Sequence, residues 1–219
     1  MSIESKINEL RAALPEGVKL LAVSKFHPAE AVMEAYNAGQ RAFGESRPQE
    51  LKMKYELLPK DIEWHMIGHL QTNKVKYIAP YVSLIESLDS ERLAAEIERQ
   101  AAKCERRIDC LLEIHVTAED SKSGWGYVEL LEFVRSGGFE AYPHIRLRGV
   151  MGMATLTDDE AVVRADFVRL AACREELAQY FGEDFNILSM GMSDDYPIAL
   201  EYGSTEVRIG STIFGSRAY

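Results

Sequence analysis

Eight short runs rich in apolar and β-branched residues recur along the chain, at 19–25, 41–46, 63–69, 84–89, 110–116, 147–153, 186–191 and 207–211. Segments with helical spacing separate them, at 28–38, 91–103, 128–135 and 158–180, the last opened by the cap-like Thr157-Asp158-Asp159-Glu160. Runs that are apolar on both faces and alternate with helices predict parallel strands joined by crossover helices, because only that arrangement covers both sides of each strand. Eight such units fit a closed (β/α)8 TIM barrel, an α/β fold, better than the competing open, doubly wound sheet. A further helix over 2–14 precedes the first strand and caps the lower end. At 219 residues the chain lies at the compact end for such a barrel and is expected to be one domain spanning 1–219, with no linker, low-complexity tract or short repeat.

The formal charge of −10 opposes attraction to phosphate backbones or anionic lipid, so nucleic acid is not an expected partner and neither is a membrane. No run of eighteen apolar residues occurs, and Met1-Ser2-Ile3-Glu4-Ser5-Lys6 lacks the apolar middle of a secretion signal. Cys104, Cys110 and Cys173 form no CxxC pair and leave an odd thiol however they pair, which suits a reducing compartment. A cytoplasmic protein is expected.

Lys25 closes the run Lys19-Leu20-Leu21-Ala22-Val23-Ser24, and His27-Pro28 follows as a turn. Strand alternation puts Leu21, Val23 and Lys25 on one face. In a barrel the C-terminal strand ends form the mouth of the active site, so an amine there is a candidate for Schiff-base chemistry; the alternative is a solvated strand-end cation. The seventh run ends Leu188-Ser189-Met190-Gly191-Met192-Ser193-Asp194-Asp195, and the eighth reads Val207-Arg208-Ile209-Gly210-Ser211. Both combine small hydroxyl residues with glycine, as a phosphate site requires, although either alone could be a tight turn. Strand one neighbours strand eight in a closed barrel, which would bring amine and phosphate site together. Arg208 stands among apolar residues and needs a partner, either a pyridine nitrogen or a carboxylate from a neighbouring element.

Other polar groups read as structural. His65 and His69 are spaced as zinc ligands on a helix, but Trp64-His65-Met66-Ile67-Gly68 reads as a strand, where the two side chains lie far apart. Ser121-Lys122-Ser123-Gly124 reads as a loop over the mouth rather than a nucleophilic serine-lysine pair. Ser193-Asp194-Asp195 reads as a helix N-cap with two acids in the first turn.

Six ordered motifs resemble the YggS/PROSC family of pyridoxal phosphate homeostasis proteins: Ala22-Val23-Ser24-Lys25, Phe43-Gly44-Glu45-Ser46-Arg47-Pro48-Gln49-Glu50, Trp64-His65 through Asn73-Lys74, Leu147-Arg148-Gly149-Val150-Met151, Leu188 through Asp195, and Gly203 through Gly210 with Phe214-Gly215. The resemblance runs from about residue 18 to the C-terminus. It implies the barrel of the alanine racemase N-terminal domain and a pyridoxal 5′-phosphate (PLP) cofactor attached to Lys25. By the same resemblance Arg208 faces the pyridine nitrogen, Ser189, Gly191, Gly210 and Ser211 surround the phosphate with Met190 close by, and Ser46 lies near the ring. Ser46 stands where the family usually has asparagine, Glu86 where histidine is common, and Met151-Gly152-Met153-Ala154 lacks a frequent proline.

A racemase of this fold needs a second acid/base group, supplied in the related racemase by a tyrosine from an additional domain, and the chain ends at Tyr219 just after the eighth strand. The expectation is therefore a non-catalytic monomer that holds PLP reversibly on Lys25 and hands it to apo PLP-dependent enzymes. A low-activity amino-acid racemase or decarboxylase is the alternative, and a cofactor-free aldolase using Lys25 is a third.

Overall fold

A computed structural model describes residues 1–117 and 123–215. Eight parallel strands close into a barrel in sequence order: β1 (Lys19–Val23), β2 (Ala42–Glu45), β3 (Glu63–Met66), β4 (Leu84–Leu88), β5 (Ile108–Glu113), β6 (Ile145–Met151), β7 (Ile187–Met192) and β8 (Glu206–Ile209). The closing pair decides the architecture. β1 runs parallel to β8 with Lys19 opposite Glu206 and Leu21 opposite Arg208, and on its other edge pairs with β2, Val23 opposite Gly44. The expected TIM barrel is therefore the fold, and the open sheet is ruled out.

Helices alternate with the strands: α1 (Ile3–Ala13), α2 (Ala29–Asn37), α3 (Pro48–Leu57), α4 (Glu91–Lys103), α5 (Tyr127–Arg135), α6 (Glu160–Phe181), α7 (Tyr196–Glu201) and α8 (Ser211–Phe214), with 3-10 turns at Thr72–Tyr77 and Gly138–Ala141. Helix α4 shows how local sequence fixes an element. Ser90 caps it by accepting from the Leu93 N–H, Lys103 sits in the last turn where the dipole favours a cation, and Leu93, Ala94, Ile97 and Ala101 form the buried stripe. Thr157 does not cap α6. Asp159 takes that place and accepts from the Ala161 N–H.

Alternation along the strands sorts side chains into two compartments. One face packs on the helices in the main core, where Ala22, Phe43, Trp64, Ile85, Leu112, Leu188 and Val207 join Val32, Leu51, Ile97 and Leu170. The larger of these side chains contribute about 1.5–3 kcal/mol each through burial. The other face fills the bore, with Leu84, Leu111, Met151 and Ile187 as an apolar plug and a polar column described below. Gly149 lets β6 meet β7: its φ is +153°, and a Cβ there would lie 1.9 Å from the Ile187 carbonyl oxygen.

The strands are shorter than the apolar runs. β1 stops at Val23, so Lys25 falls in the turn that follows, and β3 stops at Met66. Cys110 and Cys173 are buried and Cys104 half-buried, all as free thiols. Among the described residues no helix is long and apolar enough to cross a membrane.

Candidate functional site

A cavity of about 260 Å³ opens at the C-terminal ends of the strands. Lys25 reaches it from the turn after β1 and Arg208 from β8. Ser193 and Asp194 line it from the loop after β7, and Gly210 and Ser211 from the segment after β8. The two loops are tied together where the Gly210 N–H donates to Ser193 Oγ at 3.4 Å. Gly210 also packs closely on β1, since a Cβ there would lie 3.2 Å from the Val23 carbonyl.

Arg208 is 5 % exposed and held from below. Its guanidinium donates to the Ser189 carbonyl at 2.7 Å, to Ser189 Oγ at 2.8 Å and to the Gly152 carbonyl at 2.8 Å. Ser189 Oγ donates a hydrogen bond to Glu86 Oε2 at 2.6 Å, and Glu86 Oε1 meets His65 Nδ1 at 2.7 Å. His65 Nε2 lies 3.2 Å from Lys19 Nζ, which pairs with Glu63 at 2.8 Å at the barrel floor. A polar column thus runs up the bore from β1 and β3 through β4 and β7 to the arginine. Glu206 stands beside it, its Oε1 buried without a hydrogen-bond partner and 3.7 Å from His65 Nδ1.

The two buried glutamates titrate in opposite directions. Burial pushes the Glu86 carboxyl up, but the His65 hydrogen bond and the charges of His65 and Arg208, with the Ser189 hydroxyl, outweigh it and hold the group below its ordinary value. Burial and the negative charge of Glu86 push Glu206 well above the ordinary carboxylate value, against smaller opposing effects of Lys19 and Arg208. Of the two, Glu86 is the one whose surroundings favour the charged form and Glu206 the one whose surroundings favour the neutral form.

Residues 1–218 match the family model for the alanine racemase N-terminal domain. The pyridoxal phosphate homeostasis protein of Schizosaccharomyces pombe is 39 % identical over 218 residues, covering 98 % of this chain and 90 % of that protein. Its counterpart from Aquifex aeolicus is 42 % identical over 205 residues, covering 92 % and 88 %. The chain belongs to the pyridoxal phosphate homeostasis protein family. Among solved structures, PipY of Synechococcus elongatus PCC7942, determined with PLP bound, superposes with a TM-score of 0.90 at 36 % identity, covering 98 % of this chain and all of that one. An alanine racemase from a D-cycloserine-producing Streptomyces lavendulae shares the fold at a TM-score of 0.81 and 18 % identity, with 56 % of its length covered.

In this family member the structure gathers Lys25, Arg208, Gly210 and Ser211 at one cavity and puts the other expected site residues elsewhere. Ser189 lies beneath the cavity, its hydroxyl engaged by Glu86 and Arg208. Met190 has the opposite strand parity, and its side chain is fully buried in the core against the helices rather than lining the cavity. Gly191 serves close packing: at φ +94° it approaches α7, where a Cβ would lie 2.7 Å from Ala199 Cβ. Ser46, half-buried after β2, packs against Gly68, whose added Cβ would meet Ser46 Cβ at 2.7 Å.

The helix-cap reading of Ser193-Asp194-Asp195 is also corrected. Helix α7 begins at Tyr196, Asp195 turns its carboxylate back to the Met192 N–H, and Ser193 and Asp194 line the cavity instead. The signal that could have found them was their position at the mouth, directly after a strand end. Glu86 was legible as a charged residue in mid-strand, where only a buried partner explains it. His69 is exposed and pairs with Asp89, remote in function from the buried His65. Residues 121 and 122 of the expected mouth loop lie outside the described residues; Ser123 donates to Glu113 Oε1 at 2.8 Å. Within the protein, carbonyls and a hydroxyl bind Arg208, and the expected carboxylate, Glu86, acts on it through Ser189.

A larger cleft, about 750 Å³, lies at the start of β6 and the end of α6, lined by Arg135, Arg146, Tyr142 and Phe181 among others. It contains neither Lys25 nor Arg208, and chemistry rather than size makes the smaller cavity the candidate site.

Proposed function

We propose that this chain holds pyridoxal 5′-phosphate reversibly on Lys25 and takes part in intracellular PLP homeostasis, without a dedicated reaction of its own. The observation that carries this reading is the convergence of Lys25 and Arg208 on one cavity with two serine hydroxyls and a glycine backbone. That donor set fits the cofactor: an amine for an aldehyde, hydroxyl and N–H donors for a phosphate, and a guanidinium for a ring nitrogen. Its size, about 260 Å³, suits a small ligand. PLP in the related PipY structure supports the same assignment.

Lys25 would attach the cofactor as a Schiff base, the amine nitrogen forming the C=N bond as the aldehyde oxygen leaves as water. Ser193, Ser211 and the Gly210 N–H are the candidates for the phosphate, a revision of the earlier set that drops Ser189, Met190 and Gly191 from direct contact. When bound, the cofactor supplies an electrophilic aldehyde and a ring that can accept electrons. Arg208, permanently protonated and fixed by three hydrogen bonds, would keep the ring nitrogen unprotonated and so weaken that electron sink. The arrangement favours holding over carbanion chemistry.

On this reading the protein is a single-domain, cytoplasmic monomer that passes PLP to apo PLP-dependent enzymes. Borohydride reduction and peptide mapping test the attachment. The pyridoxyl group is expected on Lys25 and to be lost in Lys25→Ala; labelling of another lysine would overturn the assignment. Incubation with amino acids in deuterated water tests the racemase alternative, since any racemase must exchange the α-proton, and release of carbon dioxide tests the decarboxylase.

A further inference from the structure

A buried ionic cluster stands directly behind the turn that carries Lys25. Lys54 of α3 is completely buried, a rare state for a lysine unless its charge is fully paired. Its Nζ donates to Glu45 Oε1 of β2 at 2.6 Å, to Glu50 Oε1 at 2.8 Å and to the Ser24 carbonyl at 2.8 Å. The same two carboxylates reach the turn. Ser24 Oγ donates to Glu45 Oε1 at 2.6 Å, and the Phe26 N–H donates to Glu50 Oε1 at 2.7 Å.

These contacts bracket one residue. Ser24 is held through its carbonyl and its hydroxyl, Phe26 through its N–H, and Lys25 lies between them. Phe26 has φ +68°, a left-handed conformation that a bulky aromatic residue adopts only when its surroundings impose it. The Arg47 guanidinium, 4.7 Å above the Phe26 ring, holds the far side of the turn. A buried ion pair is weak evidence for stability, because apolar side chains of similar volume often serve as well. Two of these bonds end on the backbone on either side of Lys25, the Ser24 carbonyl and the Phe26 N–H, and the other three tie their partners together, which points instead to a role in geometry.

We propose that Lys54, together with Glu45 and Glu50, is a positioning device that fixes the backbone flanking Lys25 and so sets where its amine stands in the cavity. The proposal rests on the reading that Lys25 attaches the cofactor. Lys54 touches no ligand and acts only through the turn. Its sequence gives no hint of this, since Leu51-Lys52-Met53-Lys54 alternates apolar and charged residues and marks neither lysine as buried.

The test compares two probes on the full chain. PLP needs both the phosphate grip and the placed amine, whereas pyridoxine 5′-phosphate, which lacks the aldehyde, needs the grip alone. In Lys54→Met, with the stem retained and the ammonium removed, PLP is expected to bind about tenfold more weakly or worse and to form its imine absorbance band more slowly. Pyridoxine 5′-phosphate should bind as in the unaltered protein. Glu50→Gln, which keeps an acceptor for the Phe26 N–H but loses the ion pair, should show a smaller loss of the same kind, and it decides the matter if Lys54→Met does not fold. Leu177→Ala, in the core on the far side of the barrel, serves as a destabilised control expected to leave both probes unchanged. Unchanged PLP binding and imine formation in a folded variant would overturn the proposal, as would equal weakening of both probes. Should the unaltered protein carry no borohydride label on Lys25, the reading of the site itself fails, an outcome distinct from either.

Discussion

Glu86 and Glu206 are neighbours in the bore, both buried, yet the same substitution should affect them very differently. Glu86 is fully buried and accepts from His65 at 2.7 Å and Ser189 at 2.6 Å. Because its surroundings favour the charged form, glutamine at this position removes the charge from two hydrogen bonds worth about 1.5–3 kcal/mol each and leaves Arg208 without its counter-charge. The expected loss is about 3–5 kcal/mol, a large share of the roughly 5–15 kcal/mol that stabilises a typical domain. The surroundings of Glu206 favour its neutral form, so Glu206→Gln, which puts a neutral amide of the same shape there, should cost about 1 kcal/mol or less. Guanidinium denaturation at neutral pH measures both, Glu86→Gln lowering the midpoint by roughly 1 M and Glu206→Gln leaving it almost in place. The pH dependence gives an independent check. A carboxyl raised in the folded state contributes stability at pH values below the ordinary carboxylate range, and loses it as pH rises through the raised value. Glu206→Gln should flatten that decline. Equal losses in the two variants, or a larger loss at Glu206, would refute the assignment of charge.

Two further outcomes follow from local geometry. Gly191→Ala forces a Cβ to 2.7 Å from Ala199 Cβ at φ +94°, and should cost about 2–4 kcal/mol in a denaturant titration, with α7 displaced from β7. Glu45 is raised to about 7, chiefly by burial and against the pull of Lys54, so its contribution is fully present below the ordinary carboxylate value and fades as pH climbs through about 7. Thermal unfolding between acidic and mildly alkaline pH should show that decline in the unaltered protein and not in Glu45→Gln.

The barrel was legible because strand and helix impose different periods, and eight alternations leave few architectures open. Lys25, Arg208, Gly210 and Ser211 were legible because the strand ends of such a barrel share one mouth. Met190 was placed by the family resemblance alone, and strand parity turns its side chain toward the helices with Leu188. Ser193 and Asp194 were assigned to a helix that begins two residues later, a boundary set by the Asp195 carboxylate folding back on the Met192 N–H. Lys54 was invisible for a deeper reason: nothing in its own helix marks it as buried, and the two carboxylates and the carbonyl it serves meet only once α3 packs on β1 and β2.

The polar column in the bore means that the arginine is mounted from the floor, while the lysine is hung from the wall. On the proposed function, hook and backstop therefore rest on separate foundations that share no side chain. Evolution, or a designer, could loosen one without unsettling the other, and so retune how long a guest stays without changing which guest is admitted.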